Sequence, residues 1–292
     1  MLSFQQMQSF HQMRRRILAL ALGAAAACAG CTARRYPVSG LVLRVDKKQQ
    51  AILVSHGKIP GYMDAMAMPF RVRDAGVLDM LRPGMRVEFQ LVVGKEGSYA
   101  EGVQLQGGGQ MAADPNLPAP APGNSIAVGD AVPDFELTDQ AGRKVKFSGF
   151  AGKVVAVTFV YTRCPLPDYC PRLSSNFADL QKRFSDRLGR DLFLFTITLD
   201  PQYDRPEVLA RYARGWKADA DGWRFLTGPM PEIRRVCGLF GVEFWPDQGQ
   251  ITHSLRTGVI DRRGRLAANL SGNDFTPKEL CDLVDAVLHG SS

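Results

Sequence analysis

Two groups of soft-ligand side chains carry the chemistry legible in this sequence. The first lies in T-R-C-P-L-P-D-Y-C-P, where five residues, two of them prolines, separate Cys164 from Cys170. The prolines restrict the loop, so both sulfurs are expected on one side of it. Pro171 suits the first position of a helix, which makes Cys170 the expected N-cap residue. There it would face the positive end of the helix dipole, a placement that stabilises thiolate. Downstream, T-H-S contains His253, one of only four histidines and the one in the body of this half. A neutral imidazole would complete a two-sulfur, one-nitrogen site, and thiolates are soft ligands suited to copper. The competing readings are a structural disulfide and a histidine that merely caps a loop.

The second group lies in H-G-K-I-P-G-Y-M-D-A-M-A-M-P-F, which places His56, Met63, Met66 and Met68 within thirteen residues. Thioether sulfur is a soft ligand that favours Cu(I) and forms no disulfide. Met66 and Met68 alternate along an extended segment, so both side chains face the same way. Methionine as core filler is the competing reading.

The elements that must position these groups differ between the two halves. V-S-G-L-V-L-R-V, Q-A-I-L-V, P-F-R-V, R-V-E-F-Q-L-V-V and Y-A-E-G-V-Q-L are separated by turn residues such as Pro83-Gly84. Five short strands over residues 36–106 predict a small all-β barrel, OB-like. Residues 107–125 are dominated by Gly, Ala and Pro, which marks a linker along which the two domains approach without rigid fusion. In 126–290 the period changes. Val154–Tyr161 and Leu192–Leu199 read as buried strands, and Leu255–Ile260 and Leu266–Leu270 as a strand pair. Pro171–Leu188, Glu207–Trp216, Pro231–Phe240 and Pro277–Leu288 show helical spacing, and His253 opens a strand-like run after an irregular segment at 245–250. This alternation predicts an α/β layer domain.

The 292 residues carry a formal charge of +7. Three of the arginines, Arg14 to Arg16, precede an apolar stretch too short to cross a bilayer comfortably, followed by small residues. That layout marks residues 1–31 as a secretory signal, so the protein is expected to be exported. Ala29-Gly30-Cys31 resembles a bacterial lipobox, with Cys28 as the other register, so a lipid anchor on the membrane is expected, with a cleaved signal that leaves no lipid as the alternative. Without the leader the remaining charge is modest and dispersed, which argues against nucleic acid as a partner. No phosphate loop, H-E-x-x-H or G-x-S-x-G occurs, so kinase, metalloprotease and hydrolase readings lack support. Cys237 and Cys281 occupy apolar helical positions and read as buried thiols.

The second half resembles the Sco/SenC family of thioredoxin-like copper proteins. The resemblance rests on V-G-D-A-V-P-D-F-E-L-T-D, G-K-V-V-A-V-T-F-V-Y-T-R-C, the helix-proximal C-P, T-L-D-P-Q-Y-D-R-P and T-H-S. It implies copper ligation by Cys164, Cys170 and His253, a supporting role for Asp200, and delivery to the CuA centre in the copper subunit of a cytochrome c oxidase. Capping of the turn before the next helix is the other role open to Asp200. The family usually has three residues between its cysteines, so this loop is longer. Residues 37–106 resemble the periplasmic CusF-like copper-binding domain, whose His and M-x-M ligands match His56, Met66 and Met68. Met63 stands where that pattern has a Trp covering the copper. The expected function is an exported metallochaperone that captures Cu(I) in the first domain and carries Cu(I) or Cu(II) in the second. A thiol–disulfide reductase, with Cys164 and Cys170 as its redox pair, and a periplasmic copper-resistance buffer are the alternatives. The absence of C-x-x-C weighs against the reductase.

Overall fold

The computed structural model describes residues 33–95, 97–106 and 125–290. The leader, with Cys28 and Cys31, and the linker up to residue 124 lie outside the described residues.

The N-terminal unit is a five-stranded antiparallel sheet: β1 (Arg34–Asp46), β2 (Ala51–His56), β3 (Met66–Arg71), β4 (Arg86–Gly94) and β5 (Gly97–Gln106), in the order β3-β2-β1-β4-β5. Its two edges meet at a single bridge from Val72 to Ala100, where the Arg73 N–H donates to the Ala100 carbonyl at 3.0 Å. Full strand pairing does not close the sheet there. On β2, Ile52 and Val54 join the core of this unit, whereas Leu53 packs with the core of the neighbouring one. Burial on both faces explains why the strand is a continuous apolar run rather than an alternating one.

The second unit is a seven-stranded mixed sheet ordered β14-β13-β8-β9-β10-β6-β7. Its centre is β8 (Val154–Val160) and β9 (Leu192–Thr198), parallel and buried at every residue, with β10 (Trp223–Thr227) parallel beyond them. Antiparallel β6 (Glu136–Asp139) and β7 (Lys144–Lys146) complete one edge, and β13 (Arg256–Ile260) and β14 (Leu266–Ser271) the other. The helices are α1 (Cys170–Arg183), α2 (Pro206–Gly215), α3 (Met230–Leu239) and α4 (Pro277–His289). α1 ends well before Leu188 because Phe184 leaves helical geometry (φ −120°, ψ 32°) and buries its ring, and turns follow. α4 opens with a capping box between Thr276 and Glu279.

The segment expected to be irregular forms a hairpin, β11 (Phe244–Asp247) with β12 (Gln250–His253). Gln248 and Gly249 both have positive φ, 46° and 81°, as a two-residue hairpin turn requires. His253 therefore ends β12, and Ser254 and Leu255 separate it from β13.

The two units pack together. Leu41 and Leu43 of β1 join the core that includes Leu280, Leu283 and Val284 of α4. At the same junction the Ser55 hydroxyl donates to Asp282 at 2.5 Å, and Arg86 pairs with Glu279 at 2.8 Å. Gly84, at φ +89°, lies against Ala268 and Asn269 of β14, where a side chain would have to adopt a left-handed backbone.

Candidate metal centres

The cysteine site is built where β8 ends. Cys164 sits in the loop, half-buried, and Cys170 is the first residue of α1 and fully buried. Tyr169 takes the N-cap position without a side-chain bond, which corrects the expectation that Cys170 caps the helix. The expected thiolate is also on the other sulfur. The hydrogen bond from Cys170 lowers the Cys164 pKa to about 5, against burial that opposes it. The same bond, with burial, holds Cys170 well above the ordinary thiol range. The pair thus shares one proton, carried by the buried Cys170 and donated to a Cys164 thiolate. The bond to Cys164, with burial, outweighs the helix dipole for the inner cysteine.

His253 arrives from the hairpin. Its Nδ1 lies 3.1 Å from the Ser254 carbonyl and its Nε2 3.6 Å from Cys170 Sγ. The Nδ1 proton donates to the carbonyl, so the Nε2 lone pair faces the sulfur. Burial lowers the pKa of His253 and keeps the ring neutral. Tyr161, the last residue before the loop, stands edge-on to this ring at 6.0 Å, and burial pushes its hydroxyl up to about 12. The structure thus joins Cys164 to Cys170 through their shared proton and Cys170 to His253 by contact. Among the described residues, no three His, Cys, Asp or Glu side chains converge at metal-binding distance.

The loop is held from outside by residues the sequence reading did not single out. Asp204 is fully buried and accepts from the Thr162 N–H at 3.0 Å, the Thr162 hydroxyl, and the Thr198 hydroxyl at 2.6 Å. Its only sequence signal was its place in the run after β9. Asp200 takes Arg163 at 2.6 Å, and the guanidinium stacks over Tyr203 at 4.1 Å. It therefore holds the residue beside Cys164, and its side chain does not cap α2, whose N-cap residue is Arg205. Cys237 is fully buried, as expected. Cys281 is only partly covered, and burial raises its pKa to about 11.

In the first unit, His56 pairs with Met66 and Val54 with Met68 across the β2–β3 ladder. Directly opposed residues share a face, so His56, Met66 and Met68 lie together. His56 is buried, and its Nδ1 lies 2.6 Å from the Gly57 carbonyl. Its Nε2 is buried without a partner. An orphaned buried nitrogen on the same sheet face as two thioethers is the kind of donor set that suits a soft monovalent ion. Met68 and Met63 are partly buried against the core, whereas Met66 is exposed. The Met63 N–H donates to Ile59, and the preceding Tyr62 stacks on Tyr36 at 4.6 Å.

A mixed-sheet α/β domain with a loop-and-helix cysteine pair under a distal histidine has a thioredoxin-like architecture. A family model described as SCO1/SenC matches residues 124–289, and one described as copper binding periplasmic protein CusF matches residues 35–104. The chain belongs to the SCO1/SenC family and carries an N-terminal CusF-like domain. It is 25% identical over 165 residues to the SCO1 protein homolog of Bacillus subtilis, covering 55% of this chain and 83% of that protein. It is 30% identical over 156 residues to SCO2-like protein RP587 of Rickettsia prowazekii, covering 51% and 73%. Among solved structures, Bradyrhizobium japonicum ScoI with copper bound aligns at 26% identity and a TM-score of 0.45, covering 55% of this chain and 99% of that one.

Proposed function

We propose that this protein is an exported copper metallochaperone. Its first domain captures Cu(I) through His56, Met66 and Met68, with Met63 as the added thioether. Its thioredoxin-like domain binds copper through Cys164, Cys170 and His253 and delivers it to the CuA centre of a cytochrome c oxidase. In this reading the curled N-terminal sheet works as an OB-like barrel over residues 36–106. The segment 107–125 is a tether, and the leader anchors the chain by lipid on Cys31, or on Cys28 in the other register. Among the described residues no helix is long and apolar enough to cross a membrane.

The observation that carries the reading is the orientation of His253. A histidine that merely capped a loop would not present a bare Nε2 to the inner cysteine at 3.6 Å. Delivery proceeds by ligand exchange, in which acceptor thiolates replace Cys164, Cys170 and His253 one at a time. Asp204 and Asp200 keep the loop in place while its sulfurs change partners.

The partly exposed, acidic Cys164 also suits a thiol–disulfide reductase acting on acceptor cysteines. Copper stoichiometry of His253→Ala separates the two, with reduction of a small disulfide measured beside it. The metallochaperone reading expects loss of copper from the cysteine site with thiol chemistry retained. Full copper retention in His253→Ala would refute it.

A further inference from the structure

The packing of the two domains gives their candidate copper sites a common direction. Ser55 and His56 are neighbours on β2 and point to opposite faces. Ser55 donates to Asp282, beyond the first turn of α4. Two to four residues further along the chain from Ser55, Gly57 to Ile59 face Thr276 and Glu279 across a cleft of about 350 Å³. Each step toward the ligand-bearing end of β2 is thus a step toward the N-terminus of α4. That end of the helix is tied to the cysteine loop, because the Asn273 amide donates to the carbonyl of Asp168, two residues before Cys170. Arg86 fixes the near side, 2.8 Å from Glu279 and 4.0 Å from Asp274. The exposed Met66 pairs with His56 at the same end of the first sheet. Both candidate sites therefore lie toward the N-terminal end of α4.

We propose that the first domain is the copper donor for the cysteine site of its own chain, passing Cu(I) within one docked molecule. The proposal rests on the copper reading above and adds the route and its direction. The bonds from Cu(I) to the His56 nitrogen and the methionine sulfurs break as bonds to the Cys164 thiolate and the Cys170 sulfur form. The Cys170 proton leaves to solvent. Copper remains Cu(I), so no oxidant or reductant takes part in the transfer. An anionic thiolate attracts the cation more strongly than a neutral thioether does, which sets the direction. Docking replaces a bimolecular encounter with a local one, so the rate follows from effective concentration.

The full chain, with Cys164 and Cys170 held as a disulfide, is loaded with one equivalent of Cu(I), so that only the first domain takes metal. A trialkylphosphine then reduces the pair. Phosphorus is oxidised to the phosphine oxide with oxygen from water, and both sulfurs become thiols. Growth of the thiolate–Cu(I) ultraviolet absorption follows the arrival of copper. The expected rate is unchanged over a tenfold range of protein concentration. In Arg86→Glu and in Asp282→Arg, each still loading both sites at equilibrium, it falls at least tenfold and becomes concentration-dependent. A wild-type rate proportional to protein concentration, or variants as fast as wild type, overturns the relay. A chain that loads and never passes copper on overturns the relay alone. A chain that takes no Cu(I) while the pair is oxidised overturns the copper reading of the first domain as well.

Discussion

The shared proton of the cysteine pair makes a quantitative claim about Cys164. Its pKa of about 5, against 9.0 for an ordinary thiol, depends first on the hydrogen bond from Cys170. Cys170→Ala removes that donor, and the Cys164 pKa should return toward the ordinary value. At pH 6 the thiolate fraction would then fall from about nine in ten to about one in a thousand, roughly 900-fold. A more basic thiolate is intrinsically more nucleophilic, and a Brønsted slope of about 0.4–0.5 over about four units offsets roughly 60-fold of this. Wild-type Cys164 should therefore exchange with a small disulfide at pH 6 about 15-fold faster than the variant. The assay is the rate of mixed-disulfide formation across pH, with the modified residue identified by mass spectrometry. The wild-type profile should have its midpoint near 5 and the variant's several units higher. A midpoint in Cys170→Ala that stays near 5 would show that the loop backbone, not the partner thiol, acidifies Cys164. Modification of Cys170 ahead of Cys164 would contradict their burial.

Met66→Ile and Met68→Ile should separate ligation from packing in the first domain. Met66 is exposed, so its replacement should weaken Cu(I) binding at least tenfold with thermal stability unchanged, whereas Met68 should lose binding and some stability. Cu(I) competition titration beside thermal melting reads both, and parent-like binding in both variants would remove copper from this domain. Acid should destabilise the apo protein through His253. Burial keeps its folded pKa below the ordinary 6.5, so the unfolded chain takes up the proton first. Its contribution is fully present above about pH 6.5 and is lost as pH falls toward the folded value, with Cys164 acting in the same direction. His253→Phe should flatten the fall in melting temperature between pH 7.5 and 5.5. An unchanged slope would show that the ring does not titrate with folding.

Much of this arrangement is legible in the sequence where one residue type has one physical use. The runs at 154–160 and 192–198 contain nothing more polar than threonine because both faces are covered, and both are central strands. Pro277 after a Thr, with Glu279 following, marks the start of α4 where it lies. The methionine pair and His56 converge because a two-residue period and a ladder leave them no other choice. The hairpin at 244–253 was hidden because its polar tip, Asp247 to Gln250, has no apolar alternation to announce strands. The protonation of the cysteine pair was legible only in part. Pro171 locates the helix start, but which sulfur loses its proton depends on the bond between the two thiols and on burial by residues distant in sequence, and that reverses the assignment drawn from the dipole. Asp204 was invisible for a related reason, since a carboxylate accepting three bonds, two of them from Thr162 far back in the chain, differs in no sequence feature from one on the surface.

Helix α4 serves two masters, and that sets the order in which the chain becomes complete. One side of it finishes the second core through Leu280, Leu283 and Val284, and the same helix covers Leu41 and Leu43 of β1. Synthesis runs from the N-terminus, so the first sheet emerges long before residues 277–289 exist to cover it. Until then its outer face shows two bare leucines and an unpaired Ser55, and the sheet must stay soluble in that state. A chain truncated before Pro277 would keep both leucines permanently uncovered and would be prone to associate through them. Helix α4 thus covers a surface that an earlier part of the chain leaves open until the helix is made.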